Sequence, residues 1–165
     1  MTEPARLAEL LAQAYFGEVD RSDGIAWHGP SVQRVLSGVT AAGASLRREG
    51  GHSIWEITLH VVLWDEICRR RLQGEVIALT TGDPGDWPEC PLPTEEAWQA
   101  TRERLRQAQV ALVEAVGKIS ADDLAGRTPG CTWTHYTMVH GTLHHDLYHA
   151  GQIALLVRLL EAGRV

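Results

Sequence analysis

The segment THYTMVHGTLHHDLYHAGQIALLVRLLEA at 134–162 decides how the rest of the chain is read. Met138, Ile153, Leu156 and Leu160 fall on one arc of a wheel that turns roughly 100° per residue, which predicts an amphipathic helix. Thr134 supplies an N-cap hydroxyl, and the pattern runs to about Ala162. Residues four apart share a helix face, so this segment carries two histidine pairs that point in different directions. His145 and His149 lie on the apolar arc, with Gln152 alongside. His140 and His144 lie with Gly151 and Arg158, on an arc that reads as a rim or a partner surface.

A second helix supplies a third inward imidazole. Ser53 and Glu56 form an S-x-x-E capping box, so a helix starts there and runs to about Gln73. His60 sits among Ile57, Leu63, Trp64 and Ile67, while Asp65, Glu66 and Arg69 read as the opposite side. An unpartnered polar group in an apolar stripe is costly. Three such imidazoles make physical sense when they converge on a cation. Neutral imidazole nitrogens suit zinc, nickel, copper or iron, and each ring keeps a second nitrogen to satisfy. Three protein ligands leave coordination positions for water or substrate, as in catalytic metal sites. Either half alone, the H-x-x-x-H pair or a lone core histidine, reads as packing; their joint placement favours a site. His28 and His52 read as loop residues without chemistry, with the mouth of a pocket as the less favoured alternative.

Helical rhythm dominates elsewhere, and strand-like alternation is nearly absent. Pro4 to Phe16 places Leu7, Leu10, Leu11 and Ala14 on one face. Gly17 to Pro30 reads as a loop, with Pro30 in the first turn of a short helix carrying Val32, Val35, Leu36 and Val39. The stretch 41–51 is weakly patterned. Gly74 to Pro93 holds four of the seven prolines and reads as a long loop. A helix from about Thr94 to Ile119 follows, with Glu95 and Glu96 where they suit the helix dipole, and then a turn-rich stretch at 120–132. Long amphipathic helices joined by loops imply an all-α bundle in a single domain over 1–165, with the first strut built from two pieces.

The formal charge is −6, from 15 basic and 21 acidic residues that are scattered rather than blocked. No basic stripe exists to neutralise phosphates, so a nucleic-acid partner is not expected. The apolar run 59–64 is interrupted by His60 and is too short to span a bilayer. The first residues lack the basic-then-apolar pattern of a secretory signal, and a cytoplasmic location is expected. Cys68, Cys90 and Cys131 are odd in number and widely spaced, which argues against a disulfide framework. Cys68 reads as packing.

HSIWEITLHVVLW at 52–64 and HHDLYHAGQIALL at 144–156 resemble the DinB-like/YfiT-like superfamily, and WHGPSVQRVLSGVT at 27–40 and Gly-Asp-Trp-Pro at 85–88 fit one branch of it. The resemblance implies a four-helix bundle with an up-down-down-up course, often a homodimer, with a three-histidine site for nickel or zinc. The superfamily's middle-helix histidine maps to His60 and its last-helix pair to His145 and His149. By the same resemblance the metal would activate either water or a low-molecular-weight thiol such as bacillithiol. A thiol-dependent S-transferase or a hydrolase acting on a small molecule is then the expected function. The alternatives are a non-catalytic or stress-related metal-binding bundle and an interaction module. Glu56, one turn before His60, is the candidate acid or base, and its cap explains it equally well. Gln152 and Asp146 are candidates to orient the imidazoles from behind.

Overall fold

The computed structural model describes residues 1–163; positions 164 and 165 of the expected domain lie outside the described residues. In chain order the elements are α1 (Glu3–Phe16), β1 (Ile25–Ala26), β2 (Gly29–Pro30), α2 (Val32–Val35), α3 (Ala41–Ser45), α4 (Ile54–Leu72), α5 (Glu95–Lys118), α6 (Ala121–Ala125) and α7 (His135–Glu161). Every one of these helices opens on a Ser or Thr whose hydroxyl accepts the N–H three residues on, from Thr2 through Ser53 to Thr134. Each such cap is worth about 1 kcal/mol. At Ser53 the box is complete, because the Glu56 side chain also accepts the Ser53 N–H at 2.8 Å.

The four long helices form the bundle, and side-chain pairs give their directions. Trp55 meets Trp98 near the starts of α4 and α5, and Glu66 pairs with Arg104 further along both. Those two helices therefore run parallel, which is why a long crossover joins them. Down α4, His60 faces His145 and His149, whereas Cys68 faces Thr142, so α7 runs antiparallel to α4. Ala8 lies against Gly117 while Tyr15 reaches Asp65, which sets α1 antiparallel to α5. The course is up-down-down-up. One contiguous apolar cluster fills the centre, with Leu11, Leu36, Trp55, Trp98 and Leu112 fully enclosed. The indoles inside it are satisfied: Trp55 donates to Thr101 at 3.0 Å and Trp98 to the Val39 carbonyl at 2.7 Å. Among the described residues no helix is long and apolar enough to cross a membrane.

Several local expectations change. Pro30 lies in β2, opposite Ile25, and Ser31 rather than Pro30 opens α2, because its hydroxyl can accept the Arg34 N–H. That helix is a single turn, so α1 alone spans the first strut and α2 lies against α7 and α1. The weakly patterned stretch after Thr40 contains α3, and the turn-rich stretch after Ser120 contains α6. Asp65 is not on a solvent side: it is 0% exposed. α4 is flanked by both α5 and α7, so 12 of its 19 residues are buried and a single-face wheel underestimates its interior. For the same reason Trp55, which lies off the His60 stripe, is buried against α5.

Candidate metal centre

The antiparallel contact of α4 and α7 puts His60 against one full turn of α7. Ring centroids are 5.0 Å apart for His60–His145, 4.9 Å for His60–His149 and 4.5 Å for His145–His149. One nitrogen of each ring lies within 4.8 Å of the others. His60 and His149 are buried and His145 is half-buried.

What stands behind each ring sets its chemistry. His60 Nδ1 is 2.7 Å from the Asp86 backbone carbonyl, His149 Nδ1 is 2.8 Å from Gln152 Oε1, and His145 Nδ1 is 3.1 Å from Asp146 Oδ1. All three partners are acceptors, so each Nδ1 carries the proton and each Nε2 is left with a lone pair. His60 Nε2 and His145 Nε2 then face each other at 3.0 Å, two acceptors with no proton between them. Burial lowers the proton affinity of His60, against the Asp86 hydrogen bond, and takes His149 down to about 4. Burial thus disfavours a proton on His60 as the answer to the facing lone pairs. A divalent cation answers them. Zinc–nitrogen bonds of about 2.0–2.1 Å need donors roughly 3–4 Å apart, and this donor set is close to that spacing. The residues fit such an ion.

A buried polar cluster supports the centre from the far side. Tyr15 Oη donates to Asp146 Oδ2 at 2.7 Å and is 3.3 Å from Asp65 Oδ1. All three side chains are 0% exposed. Burial and the Asp146 charge push the Asp65 carboxyl well above the usual carboxylate range, so it keeps a proton. Burial, then the same two acids, also raise the Tyr15 phenol, which therefore stays a donor. Tyr15 fixes one Asp146 oxygen and leaves the other for His145.

The α4–α5 crossover closes over the opposite side. Gly85, at φ 97°, permits the turn that brings Asp86 back onto α4. Asp86 Oδ1 accepts from Trp64 Nε1 at 2.8 Å, and Oδ2 accepts the Gly82 N–H at 2.8 Å. Next along, Trp87 is stacked between two imidazoles: 3.5 Å from His52 and 4.0 Å from His60, both nearly coplanar. His52, read as a loop residue without chemistry, thus packs over the centre through Trp87. Arg71 holds the upstream end of the crossover by donating to the Ile77 and Leu79 carbonyls.

The structure brings His60, His145, His149, Asp146 and Gln152 together. Glu56 stands apart: its hydrogen bonds and ion pairs go to Ser53, Arg47 and His52, with none to the three imidazoles. Burial opposes its ionisation, but the Ser53 hydrogen bonds and Arg47 outweigh it and hold its carboxyl low. Of the outer pair, His144 is exposed and His140 packs against Tyr136. His28 is on the exposed ribbon turn. Tyr15, Asp65, Asp86 and Trp87 were missed by sequence reasoning. Only the Gly-Asp-Trp-Pro run drew notice, and nothing in its spacing ties it to His60.

A model of the DinB superfamily matches residues 25–153, which takes in all three histidines. No curated protein and no solved structure matches the chain.

Proposed function

The chain belongs to the DinB superfamily, and on that premise we propose that it is a metal-dependent enzyme acting on a small molecule, with His60, His145 and His149 holding one divalent ion. The observation that carries this reading is that one nitrogen of each of the three imidazoles lies within 4.8 Å of the others while each Nδ1 has an acceptor behind it. Zinc or nickel suits three imidazoles, and a bound ion lowers the pKa of a coordinated water or thiol. Asp146 and Gln152 hold the rings in the tautomer that binding requires. Tyr15 and protonated Asp65 brace Asp146, and the Asp86–Trp87 strap limits water on the His60 side.

Thiol-dependent S-transfer to a small electrophile is the preferred reaction, ahead of hydrolysis. Burial pushes the Cys68 thiol up to about 12, and burial with Glu56 pushes Cys90 to about 11. Neither of these two supplies a thiolate near neutral pH, and the proposed sulfur nucleophile is a low-molecular-weight thiol co-substrate such as bacillithiol. Tag-free protein should carry about one ion per chain, lost in His60→Ala and in His145→Ala/His149→Ala. Equal metal in all three, or none in any, defeats the metal reading. Metal-loaded protein that consumes neither low-molecular-weight thiols nor esters and amides defeats the catalytic one.

A further inference from the structure

Beside the histidines, between α4 and α7, lies a cavity of about 270 Å³ that none of the chain's own side chains fills. Its walls include His145, Trp64, Ile67, Met138 and Trp133. The lining also contains Arg71, the one formally charged side chain there. Arg71 is 4% exposed, yet among the described residues no carboxylate pairs with it. Its neighbour Arg70 takes Glu75 instead. Only Nη2 is used, on the two crossover carbonyls, and Nε is buried with no partner at all. Trp64 lies 6.0 Å from the guanidinium, at the outer limit of a cation–π contact. A buried cation is ordinarily paired, because an unpaired one keeps most of its desolvation cost.

We propose that this cavity binds a small apolar carboxylate, with the acid on the Arg71 guanidinium and the body against Trp64, Ile67 and Met138. The proposal deepens the reading above by naming its substrate class, and rests on that reading only for the end that reacts beside His145. A carboxylate fits better than a phosphate because the walls offer one cation and no second, which balances a single negative charge. Nη2 already gives both its N–H groups to the crossover and Nε is enclosed, so the acid meets the guanidinium at Nη1. The volume limits the molecule to a compact body, below the usual range of drug-sized pockets.

The test is binding to metal-free and metal-loaded protein, read by calorimetry and by the fluorescence of Trp64 and Trp133. The probes are hexanoate, benzoate and phenylacetate, each against its neutral amide. At least one acid should bind saturably, and its amide about 10- to 100-fold more weakly. Arg71→Gln should lose the same factor. Because Arg71 also anchors the crossover, Gly141→Leu provides an independent check. A Cβ at Gly141 would meet nothing within 4 Å, so a larger side chain can start from the cavity wall there with Arg71 itself unchanged. It should abolish binding while metal content is kept. The proposal is overturned if no acid binds, if acid and amide bind alike, or if either variant binds as wild type does. Ion content on the same samples separates the two readings. Metal without acid binding sinks this one alone, and acid binding without metal sinks the metal reading alone.

Discussion

His140/His144 and His145/His149 lie on one helix at one spacing, yet their surroundings differ in everything that matters to a cation. Behind His145 and His149 stand Asp146 and Gln152, and opposite them stands His60. Around the outer pair there is a tyrosine ring at 4.4 Å from His140, a centroid separation of 6.1 Å between the two imidazoles, and an unpartnered Nε2 on His140. The helix thus offers the same two-histidine motif twice, and only one copy has its second nitrogens satisfied. A ring whose Nδ1 is fixed by an acceptor presents one lone pair in one direction; a ring without that partner must lose entropy and choose a tautomer to bind anything.

The largest effect should come from exchanging which pair is removed. His145→Ala/His149→Ala should release the ion, with affinity down by far more than the roughly 100-fold typical of an outer partner. His140→Ala/His144→Ala should keep about one ion per chain. Metal analysis of both, after dialysis against a weak chelator, checks this. An ion retained by the first and lost by the second would invert the comparison.

Removing the backing while keeping the ligands sharpens the point. Two variants leave all three imidazoles in place: Gln152→Leu removes the acceptor behind His149, and Asp146→Asn leaves a neutral amide oxygen where a carboxylate backs His145. Each should weaken metal binding by about 10- to 100-fold. A competition titration that found wild-type affinity in both would show that the inner pair owes its advantage to His60 alone.

A helix wheel could find the inner pair because α7 buries a stripe, and His145, His149, Ile153 and Leu156 share it. His60 was found the same way, and the Ser53–Glu56 box is local chemistry that a sequence displays directly. What supports the centre was not legible, for physical reasons. Asp86 and Trp87 come from an irregular crossover whose path depends on Gly85 and on anchors such as Arg71, none of which has a period. Tyr15 sits on a third helix, some fifty residues from Asp65 in sequence, and is paired with it only by the bundle. Asp65 was assigned to solvent because its charge places it there on any one-faced wheel, whereas α4 has interior on two sides.

The crossover's share of the comparison is smaller. Trp87→Ala removes the ring that covers His60, a contact worth about 0.5–1.5 kcal/mol beyond its buried area. For a chain of this size that lowers Tm by roughly 2–4 °C per kcal/mol. Trp87→Phe should recover part of the loss, since a second flat ring can still stack. Scanning calorimetry of the metal-free forms checks it, and identical Tm values would mean that the strap lies over the centre without bracing it.

The remaining comparison concerns Asp65, and its sign is what matters. In the fold this carboxyl keeps its proton because of burial and the neighbouring Asp146 charge; unfolded, it releases it near pH 4. Below about pH 4 both states are protonated and the group has no influence. Above that, and up to the higher pH at which the folded carboxyl ionises, the folded state binds more protons than the unfolded one. Stability from this group therefore falls as pH rises. Asp65→Asn has the same shape and can still donate towards Asp146, but it has no proton to hold. The difference in unfolding free energy between variant and wild type, both metal-free, should move in the variant's favour from pH 5 to pH 8. Taking the difference removes the opposite slope of His60 and His149, which both proteins share. Parallel stability curves would mean that Asp65 is ionised in the fold, that Tyr15 divides its one proton between two carboxylates, and that the acceptor behind His145 is less firmly fixed than its 3.1 Å contact implies.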